Sequence, residues 1–238
     1  MSIFRSTNVT RARRFAAAAG VAAAMAASVV SSTHAPSASA DPCPDVEVVF
    51  ARGSGEPPGV GGVGTSFVDA LRSDIGPKSL GVYPVNYPAS TDFSSSDFPQ
   101  GVIAGIRDAS SHLESMAGNC PNTREVLGGY SQGAAVAGFV TSAAVPANVP
   151  AAAVPRPMPT NVANHVAAVT LFGTPSDQFL QKYGAPTIAI GPLYQPKTLQ
   201  LCAPGDGICS SGSDPAAHIS YGVNGMTGQA ADFAANHL

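Results

Sequence analysis

Arg124-Glu125-Val126-Leu127-Gly128-Gly129-Tyr130-Ser131-Gln132-Gly133-Ala134-Ala135-Val136-Ala137 is the stretch that decides the fold. Residues 124–128 read as a short buried strand. Ala134, Ala135, Val136, Ala137, Phe139 and Val140 read as a small-residue helix packed closely on a sheet. Between them Gly129-Tyr130-Ser131-Gln132-Gly133 has the pattern GxSxG. At a strand-to-helix junction this turn holds its serine in a strained conformation that flanking glycines accommodate, with the hydroxyl exposed near a helix N-terminus. Ser131 is therefore a candidate nucleophile. A Gly-rich turn with a capping serine fits the same five letters, so the choice rests on the rest of the chain.

Working outward, strand-like and helix-like segments alternate. Val46–Ala51 is a β-branched run ending in Arg52-Gly53-Ser54-Gly55-Glu56 and a Pro/Gly loop; Thr65 can cap a helix through Ile75 with Phe67, Val68, Leu71 and Ile75 on one face. Residues 80–85 form a second expected strand, 87–99 a polar loop with Phe93 and Phe98, and 100–116 a helix. After the Ser131 unit, the Ala/Pro-rich stretch 143–161 cannot hold a regular helix and reads as a surface excursion. Strands are expected at 166–172 and 197–202, and a closing helix at 226–238. This alternation predicts an α/β fold with a mostly parallel sheet, helices on both faces, and ligands at the carboxyl ends of the strands.

Residues 1–40 contain no acidic residue, carry Arg5, Arg11, Arg13 and Arg14, continue through an apolar 15–30 run and finish at Ala38-Ser39-Ala40. That is the pattern of a secretory signal with an A-x-A cleavage site. A membrane anchor is the lesser reading, because the run is mostly alanine and ends in a Ser/Thr/Pro stretch. Arg13-Arg14 leaves the twin-arginine export route open. Removal of these 40 residues leaves 198, enough for one sizeable core (domain 41–238), and moves the formal charge from −3 to −7, since 8 basic residues then face 15 acidic ones. Nucleic acid is an unsuitable partner for such a chain.

The four cysteines, Cys43, Cys120, Cys202 and Cys209, follow this leader and suggest two disulfides, with three pairings open. Their spacing does not suggest zinc. A Cys202 to Cys209 bridge would pin a short loop and stabilise by at most ~2.5 kcal/mol in the chain-entropy model, against ~4.5 kcal/mol for a Cys43 to Cys120 closure.

A serine hydroxyl needs a histidine to remove its proton, and the histidine needs a carboxylate to fix its tautomer. In a fold of this kind the chain order is serine, acid, histidine. His165 precedes the better acid candidates and His237 lies at the terminus, which leaves His218 as base. Of Asp177, Asp206 and Asp214, Asp206 follows a strand inside the short cysteine loop, whereas Asp214 lies in a Ser/Gly/Pro loop and reads as a solvated acid. An oxyanion site needs the amide after the nucleophile, that of Gln132, and a donor from an early strand-end loop such as Arg52-Gly53-Ser54, although Ser54 alone reads equally as a turn serine.

GYSQG, the Cys202-Ala203-Pro204-Gly205-Asp206 loop with its second cysteine, and Ala217-His218-Ile219-Ser220-Tyr221 together resemble the cutinase family, over nearly all of 43–238, and the chain looks like a secreted actinobacterial member of it. The resemblance implies a compact α/β-hydrolase fold with a central five-stranded parallel sheet flanked by helices and no covering lid, and serine esterase activity without metal or cofactor. It implies Ser131 as nucleophile, Asp206 as acid, His218 as base, Ser54 and Gln132 at the oxyanion hole, and the pairs Cys43 with Cys120 and Cys202 with Cys209. The stretch 143–161 departs from the family by its length. The expected protein is an extracellular monomer acting on fatty-acyl esters or polyester, with peripheral contact to a lipid or polymer surface and cell-wall association left open. A non-catalytic wall- or lipid-binding protein is the alternative. Phe93, Phe98 and Ile208 are either an apolar rim around an acyl cleft or loop anchors folded onto the core.

Overall fold

Val46–Ala51 forms β1 with all six residues buried, as a β-branched run must be when helices cover both faces of a parallel sheet. The structure, a computed structural model, describes residues 43–147 and 149–238, so the leader expected at 1–40 lies outside the described residues. The other strands are β2 (Leu80–Pro84), β3 (Arg124–Tyr130), β4 (Val166–Phe172) and β5 (Thr198–Leu201). They lie in the order β2-β1-β3-β4-β5, every pair parallel. The chain leaves β1 for β2 on one side and returns to β3 on the other, so the sheet reverses direction of growth between β1 and β3. A crevice opens beyond the carboxyl ends of strands at such a switch point. This is the five-stranded parallel α/β-hydrolase sheet that the family resemblance implies.

Side-chain alternation along the strands divides the interior into two cores. Val46, Val48 and Phe50 face α1 (Gly61–Asp74) and α7 (Met226–Ala235), while Val49 and Ala51 face α2 (Phe98–Asn119) and α3 (Gln132–Val140). Phe50, Phe67 and Phe172 meet with ring centroids 5.9–6.2 Å apart, and truncating one to alanine would cost about 3–5 kcal/mol. Shorter helices α4 (Thr160–His165), α5 (Asp177–Lys182) and α6 (Pro215–His218) complete the chain. The disulfides are Cys43–Cys120 and Cys202–Cys209. Among the described residues no helix is long and apolar enough to cross a membrane.

Several boundaries differ from the sequence reading, each for a local reason. Thr65 does not cap α1. The helix begins four residues earlier, the Glu56 carboxylate accepts the Gly62 amide at 2.7 Å, and the Thr65 hydroxyl donates back to Gly61 O at 2.8 Å. Helix α2 starts at Phe98, with Pro99 in its first turn, where a missing N–H costs nothing. The described residues of 143–159 are irregular as expected, but the excursion closes in α4, which His165 ends.

Candidate active site

Ser131 joins β3 to α3 with φ 56° and ψ −116°, one of two non-glycine residues at positive φ among the described residues. The neighbouring glycines make this elbow possible. A Cβ on Gly129 would lie 2.2 Å from Gly133 O, and one on Gly133 would lie 1.9 Å from Ala51 O. The Ser131 amide donates to Phe172 O on β4 at 2.8 Å and its carbonyl accepts from Ala135 at 3.1 Å. Such backbone strain costs about 1–3 kcal/mol and persists where the surroundings over-determine it.

From the elbow runs a series of hydrogen bonds. Ser131 Oγ is 2.9 Å from His218 Nε2, and His218 Nδ1 is 2.8 Å from Asp206 Oδ2. Asp206 is fully buried. Burial alone would raise its pKa, but hydrogen bonds from the Tyr221 hydroxyl (2.6 Å), His218 and the Ile208 amide (2.8 Å) outweigh it and hold the carboxyl below its ordinary value. An ionised carboxylate only accepts, so Nδ1 carries the imidazole hydrogen and Nε2 presents its lone pair to the Ser131 hydroxyl. The arrangement can draw the proton from Oγ as that oxygen attacks an electrophile.

The loop after β1 lies beside the elbow because β1 and β3 are neighbours in register, Ala51 opposite Gly129. Buried Arg52 ties the loop down: Nε donates to Glu56 O at 2.9 Å, a terminal nitrogen donates to Tyr87 O at 2.7 Å, and the Tyr87 hydroxyl donates to Arg52 O. Glu56 accepts from the Gly53 amide at 2.6 Å. The Ser54 hydroxyl is buried without a partner and lines the same cavity as Ser131, Gln132 and His218. Gln132 opens α3, so its amide has no acceptor within the helix.

That cavity has a volume of about 940 Å³, near the upper end of ordinary ligand sites. It is lined by α2, through Val102, Ile103 and Ile106, and by the 143–161 excursion, through Val145, Val149 and Val154. Phe93, Phe98 and Ile208 all line it. Phe93 packs on Phe98 and Tyr183 with centroids 5.0 and 5.6 Å apart, and it remains 37% exposed. The two phenylalanines pack on one another and line the cavity, and neither belongs to either of the two cores. Cys202, Asp206 and Cys209 bring three ligand-type atoms together, but the disulfide has consumed both thiols, so the group does not fit a metal.

Residues 42–238 match the family model described as Cutinase. The chain belongs to the cutinase family. It is 72% identical over 166 residues to the probable carboxylesterase Culp7 of Mycobacterium tuberculosis, covering 70% of this chain and 89% of the relative. It is 46% identical over 227 residues to the phospholipase Culp4 of the same organism, covering 95% and 93%. Among solved structures, a Trichoderma reesei cutinase in complex with a C11Y4 phosphonate inhibitor superposes with a TM-score of 0.58 at 33% identity, over 83% of this chain and 78% of that one.

Within this cutinase-family chain the remaining candidates lie apart from the elbow series. Asp214 is exposed and caps α6, accepting the Ala216 amide at 2.9 Å. Asp177 is exposed in the first turn of α5, and His237 bonds Phe233 O at 2.8 Å. Sequence reasoning passed over four residues that hold the site. Arg52 and Glu56 brace the β1 loop, Tyr130 donates to His218 O at 2.6 Å, and Tyr221 donates to Asp206. Each had a faint signal: opposite charges inside a Gly/Pro loop, and tyrosines adjoining the candidate nucleophile and base.

Proposed function

We propose that Ser131, His218 and Asp206 are the nucleophile, base and acid of this carboxylic ester hydrolase, which acts through an acyl-enzyme on fatty-acyl esters. The chain is an ester hydrolase by family. Support for the mechanism comes from one observation: the Ser131–His218–Asp206 series, at 2.9 and 2.8 Å, opens into a largely apolar cavity. In the forward half-reaction His218 Nε2 takes the Ser131 proton as Oγ bonds to the ester carbonyl carbon. The carbonyl oxygen becomes an oxyanion, met by the Gln132 amide and Ser54. The imidazolium then returns the proton to the departing alkoxide as the C–O bond breaks. Water repeats the cycle on the acyl-enzyme, releasing the acid and Ser131. The acyl chain lies in the cavity lined by α2 and the 143–161 excursion. The relatives named carboxylesterase and phospholipase are consistent with an acyl ester whose alcohol part varies.

The test is labelling by a fluorophosphonate. Wild-type protein should form one adduct, on Ser131, and Ser131→Ala should form none. An adduct on a different serine, or a wild-type protein that does not react, would refute the assignment and favour a binding protein with this fold. Export is part of the same proposal, resting on the 1–40 leader and the two disulfides. Protein recovered from culture medium should begin at residue 41.

A further inference from the structure

We propose that Tyr221 is a positioning residue for ester hydrolysis, its hydroxyl fixing the Asp206 carboxylate that in turn orients His218. The proposal rests on the assignment of Ser131, His218 and Asp206. Tyr221 is fully buried, three residues beyond His218. Its ring packs against Phe172, Tyr130 and His218 with centroids 6.1, 5.7 and 6.3 Å away. A phenylalanine would fill that space equally well, so packing does not explain the hydroxyl.

Hydrogen bonding does. The Tyr221 oxygen accepts the Ala203 amide at 2.9 Å, which occupies a lone pair and directs its own hydrogen to Asp206 Oδ2 at 2.6 Å. Oδ2 is the same oxygen that accepts His218 Nδ1, while Oδ1 is held by the Ile208 amide. The carboxylate is thus fixed at both oxygens before the imidazole meets it, and it cannot rotate away as His218 gains charge. Gly173 at the end of β4 leaves the room for this meeting. Any Cβ there would lie 3.1–3.2 Å from the His218 ring, the Tyr221 hydroxyl and Asp206 Oδ2 together. The charged or titratable groups around the carboxylate are His218, Tyr221 and Tyr130 on β3, with Glu56 beyond Tyr130 and exposed Asp214 at the start of α6.

Loss of the donor makes the Asp206 carboxylate more basic, and a more basic carboxylate holds the His218 proton more tightly. Both effects move the acid limb of kcat/KM to higher pH. The experiment measures that limb on a short soluble ester, with rates normalised to sites titrated by fluorophosphonate. Tyr221→Phe should lower kcat about tenfold to a hundredfold, the scale of one hydrogen bond to a charged group, with KM little changed and the acid limb moved up. Replacement of Tyr221 by 3-fluorotyrosine keeps the ring and gives a more acidic hydroxyl, so the limb should move down; this variant decides the matter if Tyr221→Phe does not fold. In an Asp206→Asn background, Tyr221→Phe should have little further effect on kcat. An unmoved acid limb in the variants, or a full Tyr221→Phe effect in the Asp206→Asn background, would overturn the proposal while leaving the Ser131 assignment intact. Wild-type turnover in Asp206→Asn alone would instead remove the assignment on which it stands.

Discussion

Two acidic residues, Asp206 and Glu125, are buried at opposite ends of the same sheet, and they have opposite fates. Asp206, beyond the carboxyl end of β5, is fully buried yet held ionised, because three donors meet its two oxygens. Glu125, near the amino end of β3, is equally buried, and no donor reaches either of its oxygens, so the group gains a partner only by protonating and donating to the Glu47 carboxylate. Burial first, and then the adjacent Glu47 carboxylate, push its pKa up to about 9. Glu47 is itself committed to His112 Nε2 at 2.7 Å, and that ring stacks on Tyr83 at 3.5 Å. Burial by itself therefore does not decide the charge of a carboxyl in this protein. The supply of donors does, and it is concentrated at the end of the sheet where the chemistry is proposed.

The largest effect should come from breaking the ionised member. Asp206→Asn removes the acceptor that fixes the His218 tautomer, and kcat should fall by about three to four orders of magnitude. Asp214→Asn keeps the cap of α6 and should change kcat little. Ester hydrolysis normalised to labelled sites checks both, and the reverse pattern would transfer the acid role to Asp214.

A smaller effect, on stability rather than rate, should come from the neutral member. The folded pKa of Glu125 is raised above its ordinary 4.5, so between pH 4.5 and about 9 the unfolded chain binds fewer protons than the native protein. Stability contributed by this group is present in full below pH 4.5 and is lost as pH rises through that window. Asp206 has the opposite sign: its contribution is present above the unfolded pKa and is lost as pH falls through the lowered folded value. Glu125→Gln should thus raise the thermal midpoint at pH 8 by a few degrees, with the advantage vanishing towards pH 4.5. Melting curves across that range check it, and an advantage that does not change with pH would show that Glu125 is ionised in the native protein.

The smallest effect concerns exposure at the cavity mouth. Phe93→Ser with Phe98→Ser should weaken hydrolysis of long-chain or emulsified esters and leave short soluble esters nearly untouched. Parallel loss of both activities together with thermal stability would make these rings anchors of the loop.

Much of this was legible in the sequence because it depends on neighbours along the chain. Short β-branched and apolar runs located the strands, and period-3.6 patterns the main helices. Glycines at 129 and 133 marked a turn too tight for side chains, and the order Ser131, Asp206, His218 follows from the order of strand ends in a parallel sheet. Tertiary structure decided what depends on contacts between distant segments. The 143–161 excursion, whose composition says only that it is not helical, lines the cavity together with α2. Tyr221 and Glu125 look like ordinary core and strand residues until the fold sets one against Asp206 and the other against Glu47. Sequence patterns record which face of an element is apolar. The charge of a buried group depends on donors and carboxyls brought from elsewhere in the chain, and only the folded chain supplies those.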